Sequence, residues 1–82
     1  MDELLSFNME NEMTETELPV QLSNREIEIV KLIAQEFSSN EIARLLFLSP
    51  GTVETHRHNI LRKLQVKNSI GIIKFALKNN LI

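Results

Sequence analysis

Serine punctuation, more than any other feature, constrains what this chain can fold into. Ser23 stands three residues ahead of Glu26, and Ser38 three ahead of Glu41. In each box the serine hydroxyl accepts from the amide three residues on, while the glutamate reaches back to the serine amide, so two donors left open at a helix start are satisfied. Ser49-Pro50 marks a third start, because Pro suits the first helical position, where its missing N–H is not needed. Starts spaced this closely force short helices joined by tight turns.

The apolar residues between these signals follow helical spacing. Ile29, Val30, Ile33 and Phe37 recur at three and four residues, and Ile27, Leu32 and Ala34 widen the arc, so the first helix is expected to run to about Phe37. The second, through Ile42-Ala43-Arg44-Leu45-Leu46, is expected to last about two turns before the chain turns at Phe47-Leu48. The third should reach about Leu64. Asn68 or Ser69 then caps a fourth helix that carries Ile70, Ile72, Ile73, Ala76 and Leu77 and ends near Asn79-Asn80, where Asn tolerates the left-handed conformation. No strand-like alternation and no internal repeat interrupts the pattern. The expected fold is all-α, a compact four-helix domain.

With 82 residues, no cysteine and 43% hydrophobic residues, the chain makes one small domain without a disulfide frame or a Cys-based zinc site. A core of this size leaves little room for a buried catalytic cleft, which argues against an enzyme. No apolar run approaches a membrane span, and Asp2 and Glu3 stand where a signal peptide carries bases, so a soluble, cytoplasmic protein is expected.

The net charge of -2 conceals an asymmetry. Residues 1–20 hold six acids (Asp2, Glu3, Glu10, Glu12, Glu15, Glu17) and no base, with scattered apolar residues of no sustained period. They read as an acidic, disordered tail or linker, and residues 21–82 as the domain. From Glu54 onward that one acid faces six bases, Arg57, Arg62, Lys63, Lys67, Lys74 and Lys78. Such a surplus suits a polyanionic partner; it equally suits a solvated face that keeps a small domain soluble.

The second and third helices decide more. A helix-turn-helix needs a small residue in its first helix where the second crosses, with apolar residues at set offsets around the turn. Ala43 is the small residue, and Ile42, Leu46, Leu48 and Val53 occupy the offsets. A plain helical hairpin would share this pattern. At about 100° per residue the third helix turns Val53, Ile60 and Leu64 inward, and Thr55, His58 and Arg62 outward with Glu54 and Asn59 beside them. That outer face offers donors, acceptors and a cation without a large apolar residue, the composition that reads groove edges and phosphates. A merely solvated face would hold more Glu and Lys.

Set out this way, the region resembles the LuxR-type helix-turn-helix domain, the DNA-binding output module of LuxR, GerE and FixJ-like bacterial regulators. The likeness runs ungapped from Leu22 to Ile82 through Leu22-Ser23-x-Arg25-Glu26, Leu32-Ile33-Ala34, Glu41-Ile42-Ala43, Leu46-x-Leu48-Ser49, Thr52-Val53, His56, Asn59-Ile60-Leu61, Lys63-Leu64 and Leu81-Ile82. It implies a four-helix domain whose third helix enters the major groove and whose fourth forms a homodimer contact. There are departures. Glu36 and Gln65 stand where the family usually has Gly, which implies strain or a different cap, and Asn80 is the better substitute at another Gly site. Glu54 replaces a residue that is often Lys, making cytosine N4 a partner to consider, and Ser69 stands where Arg is common.

Base reading is therefore expected from Thr55, His58 and Glu54, in the N-terminal half of the third helix. Phosphate contacts are expected from Arg57, Arg62 and Lys63, with Thr52 at the helix start and Arg44 on the preceding helix. His56, at the edge of the core stripe, is expected to pack or to touch phosphate. His56 and His58 lie about 200° apart on a helix and cannot share one ion, so no metal site or other cofactor is expected. On the fourth helix Ile72, Ile73 and Ala76 should face inward, leaving Ile70 and Leu77, with Phe75 as a further candidate and Lys74 at the rim, for a weak homodimer that reads an inverted repeat of double-stranded DNA. The resemblance implies either a stand-alone transcriptional regulator or the output domain of a response regulator, and RNA polymerase is a further partner consistent with both. The rival is a helical protein-interaction module that does not bind DNA, which Glu54 and the acidic tail make conceivable.

Overall fold

The structure, a computed structural model, describes residues 18–82, and the described residues contain four helices and no strand. These are α1 (Asn24–Ala34), α2 (Ser39–Leu46), α3 (Pro50–Leu64) and α4 (Ser69–Lys78). The expected all-α, four-helix fold is what the described residues adopt.

Each start follows its cap. Ser23 and Ser38 sit in extended backbone, and both capping boxes are closed in both directions. At α3, Ser49 accepts from the Thr52 amide with Pro50 in the first turn, and at α4 the Asn68 side chain accepts from the Ile70 amide.

The helix ends share one device. At α1 the Phe37 amide donates to the Leu32 carbonyl and the Glu36 amide to that of Ile33, with Glu36 left-handed at φ 72°. The same pair of bonds, six-to-one and five-to-two, ends α2 at Leu48 and Phe47, α3 at Val66 and Gln65, and α4 at Leu81 and Asn80. In every case the left-handed residue is not glycine: Glu36, Phe47, Gln65 and Asn80. The residue that follows each is apolar and turned back onto the core: Phe37, Leu48, Val66 and Leu81. This motif stops α1 at Ala34, three residues short of the expected Phe37, because Phe37 serves as the anchor beyond the turn instead of as a helical residue.

The core lies where the four helices meet. Ile29 and Val30 of α1, Ile42 of α2, Val53 and Ile60 of α3, and Ile72 and Ala76 of α4 are fully enclosed, joined by Ile33, Ala43, Leu22 and Leu81. Helix α1 packs on α4 and α3, and α2 packs chiefly on α3, with Ala43 buried as the small residue of that pair. Gly71 permits α4 to close on the preceding loop: a β-carbon there would lie 2.5 Å from Val66 Cβ. Most of the acidic segment assigned to residues 1–20 lies outside the described residues. Leu18 and Val20, however, are half-buried and pack on the core, so the packed chain begins ahead of the expected boundary at residue 21.

Candidate nucleic-acid interface

Helix α3 is held from behind. Val53 and Ile60 are fully buried and Leu64 packs beside them, so the opposite face must project away from the domain. On it Glu54, Thr55, His58 and Arg62 are exposed and Asn59 is half-buried; Thr52 at the helix start and Arg44 on α2 are exposed too. The structure thus brings Arg44, Thr52, Glu54, Thr55, His58 and Arg62 to the surface of one α2–α3 unit. His56 is half-buried at the edge of the core stripe.

Several of these groups have their hydrogen bonds arranged within the helix. The Thr55 hydroxyl donates to the Gly51 carbonyl at 3.1 Å, which spends its proton and leaves this exposed side chain a methyl group and an acceptor to offer. The Ser49 and Thr52 hydroxyls lie 2.9 Å apart. Arg62 Nη2 donates to Asn59 Oδ1 at 3.1 Å, steadying an otherwise flexible cation in the last turn, where the helix dipole also favours positive charge. Beside it, His58, Leu61, Arg62, Gln65, Val66 and Lys67 line an open cleft of about 370 Å³.

Two cations expected on phosphate are engaged within the fold. Arg57 is only 24% exposed; its Nη2 donates to Ser69 Oγ at 2.8 Å, across to the first turn of α4, and its Nε lies 3.7 Å from Glu54 Oε1. Lys63 Nζ donates at 2.8 Å to Glu26 Oε1, the oxygen that also accepts from the Ser23 amide at 2.9 Å. Glu26 is 5% exposed, the sole charged residue among the buried ones described. Burial alone pushes its carboxyl up, but Lys63 and the Ser23 amide together outweigh that and hold it below the ordinary glutamate value. At the second box the Ser38 amide likewise draws the Glu41 carboxyl down.

The sequence carried a signal for Arg57. It lies four residues after Val53, about 40° away on the helix, and so on the inner side. For Lys63, about 80° from Val53, the helical angle was indecisive, and nothing local announced a partner as distant in sequence as Glu26.

Comparisons with known proteins identify the family to which this fold belongs. A family model described as bacterial regulatory proteins, luxR family, matches residues 20–76, more than half of the chain. The chain belongs to the luxR family of bacterial regulatory proteins. Over 58 residues this luxR-family domain is 55% identical to the uncharacterized response regulatory protein YgeK of Escherichia coli (strain K12), an overlap covering 71% of the chain and 40% of YgeK. It is 44% identical over 61 residues to the oxygen regulatory protein NreC of Staphylococcus carnosus (strain TM300), covering 74% of the chain and 28% of NreC. Among solved structures it matches the response regulator ChrA of a heme-sensing two-component system, with a TM-score of 0.70 and 34% identity, over 100% of the chain and 39% of ChrA. The chain therefore spans well under half the length of these relatives. Its α2–α3 unit is the helix-turn-helix of a DNA-binding transcription-regulator domain, and no helix among the described residues is long and apolar enough to cross a membrane.

Proposed function

We propose that this luxR-family domain is the DNA-binding output module of a longer cytoplasmic response regulator and docks α3 in the major groove of duplex DNA. Thr55, His58 and Glu54 then meet base edges, while Thr52, Arg44 and Arg62 hold phosphates. Arg57 and Lys63 contribute positive potential near the backbone, but their hydrogen bonds serve α4 and Glu26. The resemblance to YgeK, NreC and ChrA, all described as regulators, supports the output role. In α4, Ile70 and Leu77 are 61% and 59% exposed, and with Lys74 they supply a two-fold contact through which two domains read an inverted repeat. RNA polymerase is a further partner of the assembled regulator.

The observation that carries the reading is the outward face of α3, free of large apolar residues and pinned from behind by Val53 and Ile60. Titration of the chain into random duplex DNA at two salt concentrations tests it. Affinity should fall as salt rises, because neutralised phosphates release counterions. Absent or salt-independent binding would instead favour a helical protein-interaction module.

A further inference from the structure

Which bases the N-terminal half of α3 can accept follows from what its side chains have left to offer. Thr55 has given its hydroxyl proton to the Gly51 carbonyl, so it presents a methyl group and an acceptor. Glu54, with its side chain 60% exposed, presents acceptors only. The nearest guanidinium, Arg57, is tied to Ser69 at 2.8 Å, and the outward cation Arg62 lies in the last turn, bonded to Asn59. The usual bidentate reading of guanine O6 and N7 by an arginine is therefore not available to this half of the helix.

We infer that Glu54, positioned by Arg57, selects a cytosine in each half-site by accepting from its exocyclic N4 amine, and that the Thr55 methyl packs against a neighbouring thymine methyl. A carboxylate discriminates strongly here. Guanine offers it O6 and N7, and thymine offers O4, all acceptors that repel it; adenine offers N6–H₂ but sets N7 beside it, whereas cytosine offers the amine next to a plain C–H. Arg57 Nε, 3.7 Å from Glu54 Oε1, turns the carboxylate along the helix and offsets its repulsion by the DNA phosphates. Because Arg57 is itself anchored to α4 through Ser69, the reading group is braced against the fold and not only against its own helix. The inference rests on the docking of α3 proposed above.

The test is selection of binding sites from a randomised duplex library by the 82-residue chain and by its Glu54→Gln variant, followed by affinities for the selected duplex with the cytosine changed to thymine. The wild type should enrich a fixed C·G pair in each half-site and lose affinity about tenfold on the change. Glu54→Gln should enrich A·T at that position instead, since an amide pairs with adenine N6 and N7. Replacing the selected thymines by uracil should weaken the wild type by roughly threefold or more through loss of methyl burial. Arg57→Gln should narrow the cytosine-to-thymine ratio; a residue that merely braced α4 would lower the melting temperature and leave the ratio alone, which would remove Arg57 from the account. Salt-dependent binding with no enriched cytosine, or the same enriched base with Glu54→Gln, overturns the inference and leaves the DNA-binding proposal standing. No salt-dependent binding by the wild type overturns both.

Discussion

Glu26 joins two tasks that usually fall to different residues. Its carboxylate closes the capping box of α1 and, through the same oxygen, receives Lys63 from the C-terminal turn of α3. Removing the lysine leaves a carboxylate with 5% exposure held by Ser23 but without its charged partner, so Lys63→Ala is expected to cost roughly 1 to 3 kcal/mol in urea unfolding. The value stays below that of a fully enclosed pair because the Lys63 side chain is 40% exposed and screened by water. The sign with pH follows from the lowered Glu26 value. A carboxyl bound more acidic in the fold than in the open chain adds stability that is present above the unfolded glutamate value, 4.5, and lost as pH falls through the folded value. Wild type should thus lose more stability than Lys63→Ala between about pH 5 and about pH 3; parallel curves would mean the pair is worth little.

At the level of elements, the helix starts were legible, and so were three of the four ends: α2, α3 and α4 stop at Leu46, Leu64 and Lys78 as expected, and only α1 stops early, at Ala34. Ser23, Ser38, Ser49 and Asn68 are side-chain signals whose chemistry is local, and each is an N-cap in the fold. The ends are closed by backbone bonds and by packing of Phe37, Leu48, Val66 and Leu81; Asn80 announces the last of them, whereas Glu36, Phe47 and Gln65 are not residue types that favour the left-handed position. Glu36 and Gln65 were suspect because the family prefers Gly there; Phe47, left-handed at φ 59° and 94% exposed, drew no such notice. A β-carbon in this region costs about 1 kcal/mol or more, so Glu36→Gly and Gln65→Gly should each stabilise the domain by roughly 1 kcal/mol, nearly additively if the two sites are independent. The check is the urea midpoint at unchanged slope. A fall in midpoint would show that these side chains make contacts that offset their strain.

At the scale of the whole molecule, helical angles located the outward face of α3 and turned Arg57 inward, but they could not name the partners of Arg57 and Lys63 or decide the side on which Lys63 lies. Arg62 is outward, whereas Arg57 and Lys63 reach α4 and α1, contacts that join residues far apart in sequence and that no wheel displays. The α4 surface concerns assembly. With Ile70 and Leu77 more than half exposed, replacing both by Glu should abolish cooperative binding to an inverted repeat and leave half-site affinity changed far less. Unchanged binding to the repeat, measured by gel shift, would place the two-fold contact elsewhere.

The division of labour around α3 is tested most directly by the ratio of affinities for a selected operator and random duplex, measured for wild type, Thr55→Ala, His58→Ala and Arg62→Ala at two salt concentrations. Thr55→Ala and His58→Ala should shrink that ratio by about 1 to 3 kcal/mol and leave random binding nearly intact, whereas Arg62→Ala should weaken both duplexes alike and lower the salt slope by roughly one unit. Equal losses on every sequence for Thr55→Ala and His58→Ala would contradict it, because α3 would then hold the backbone without reading bases.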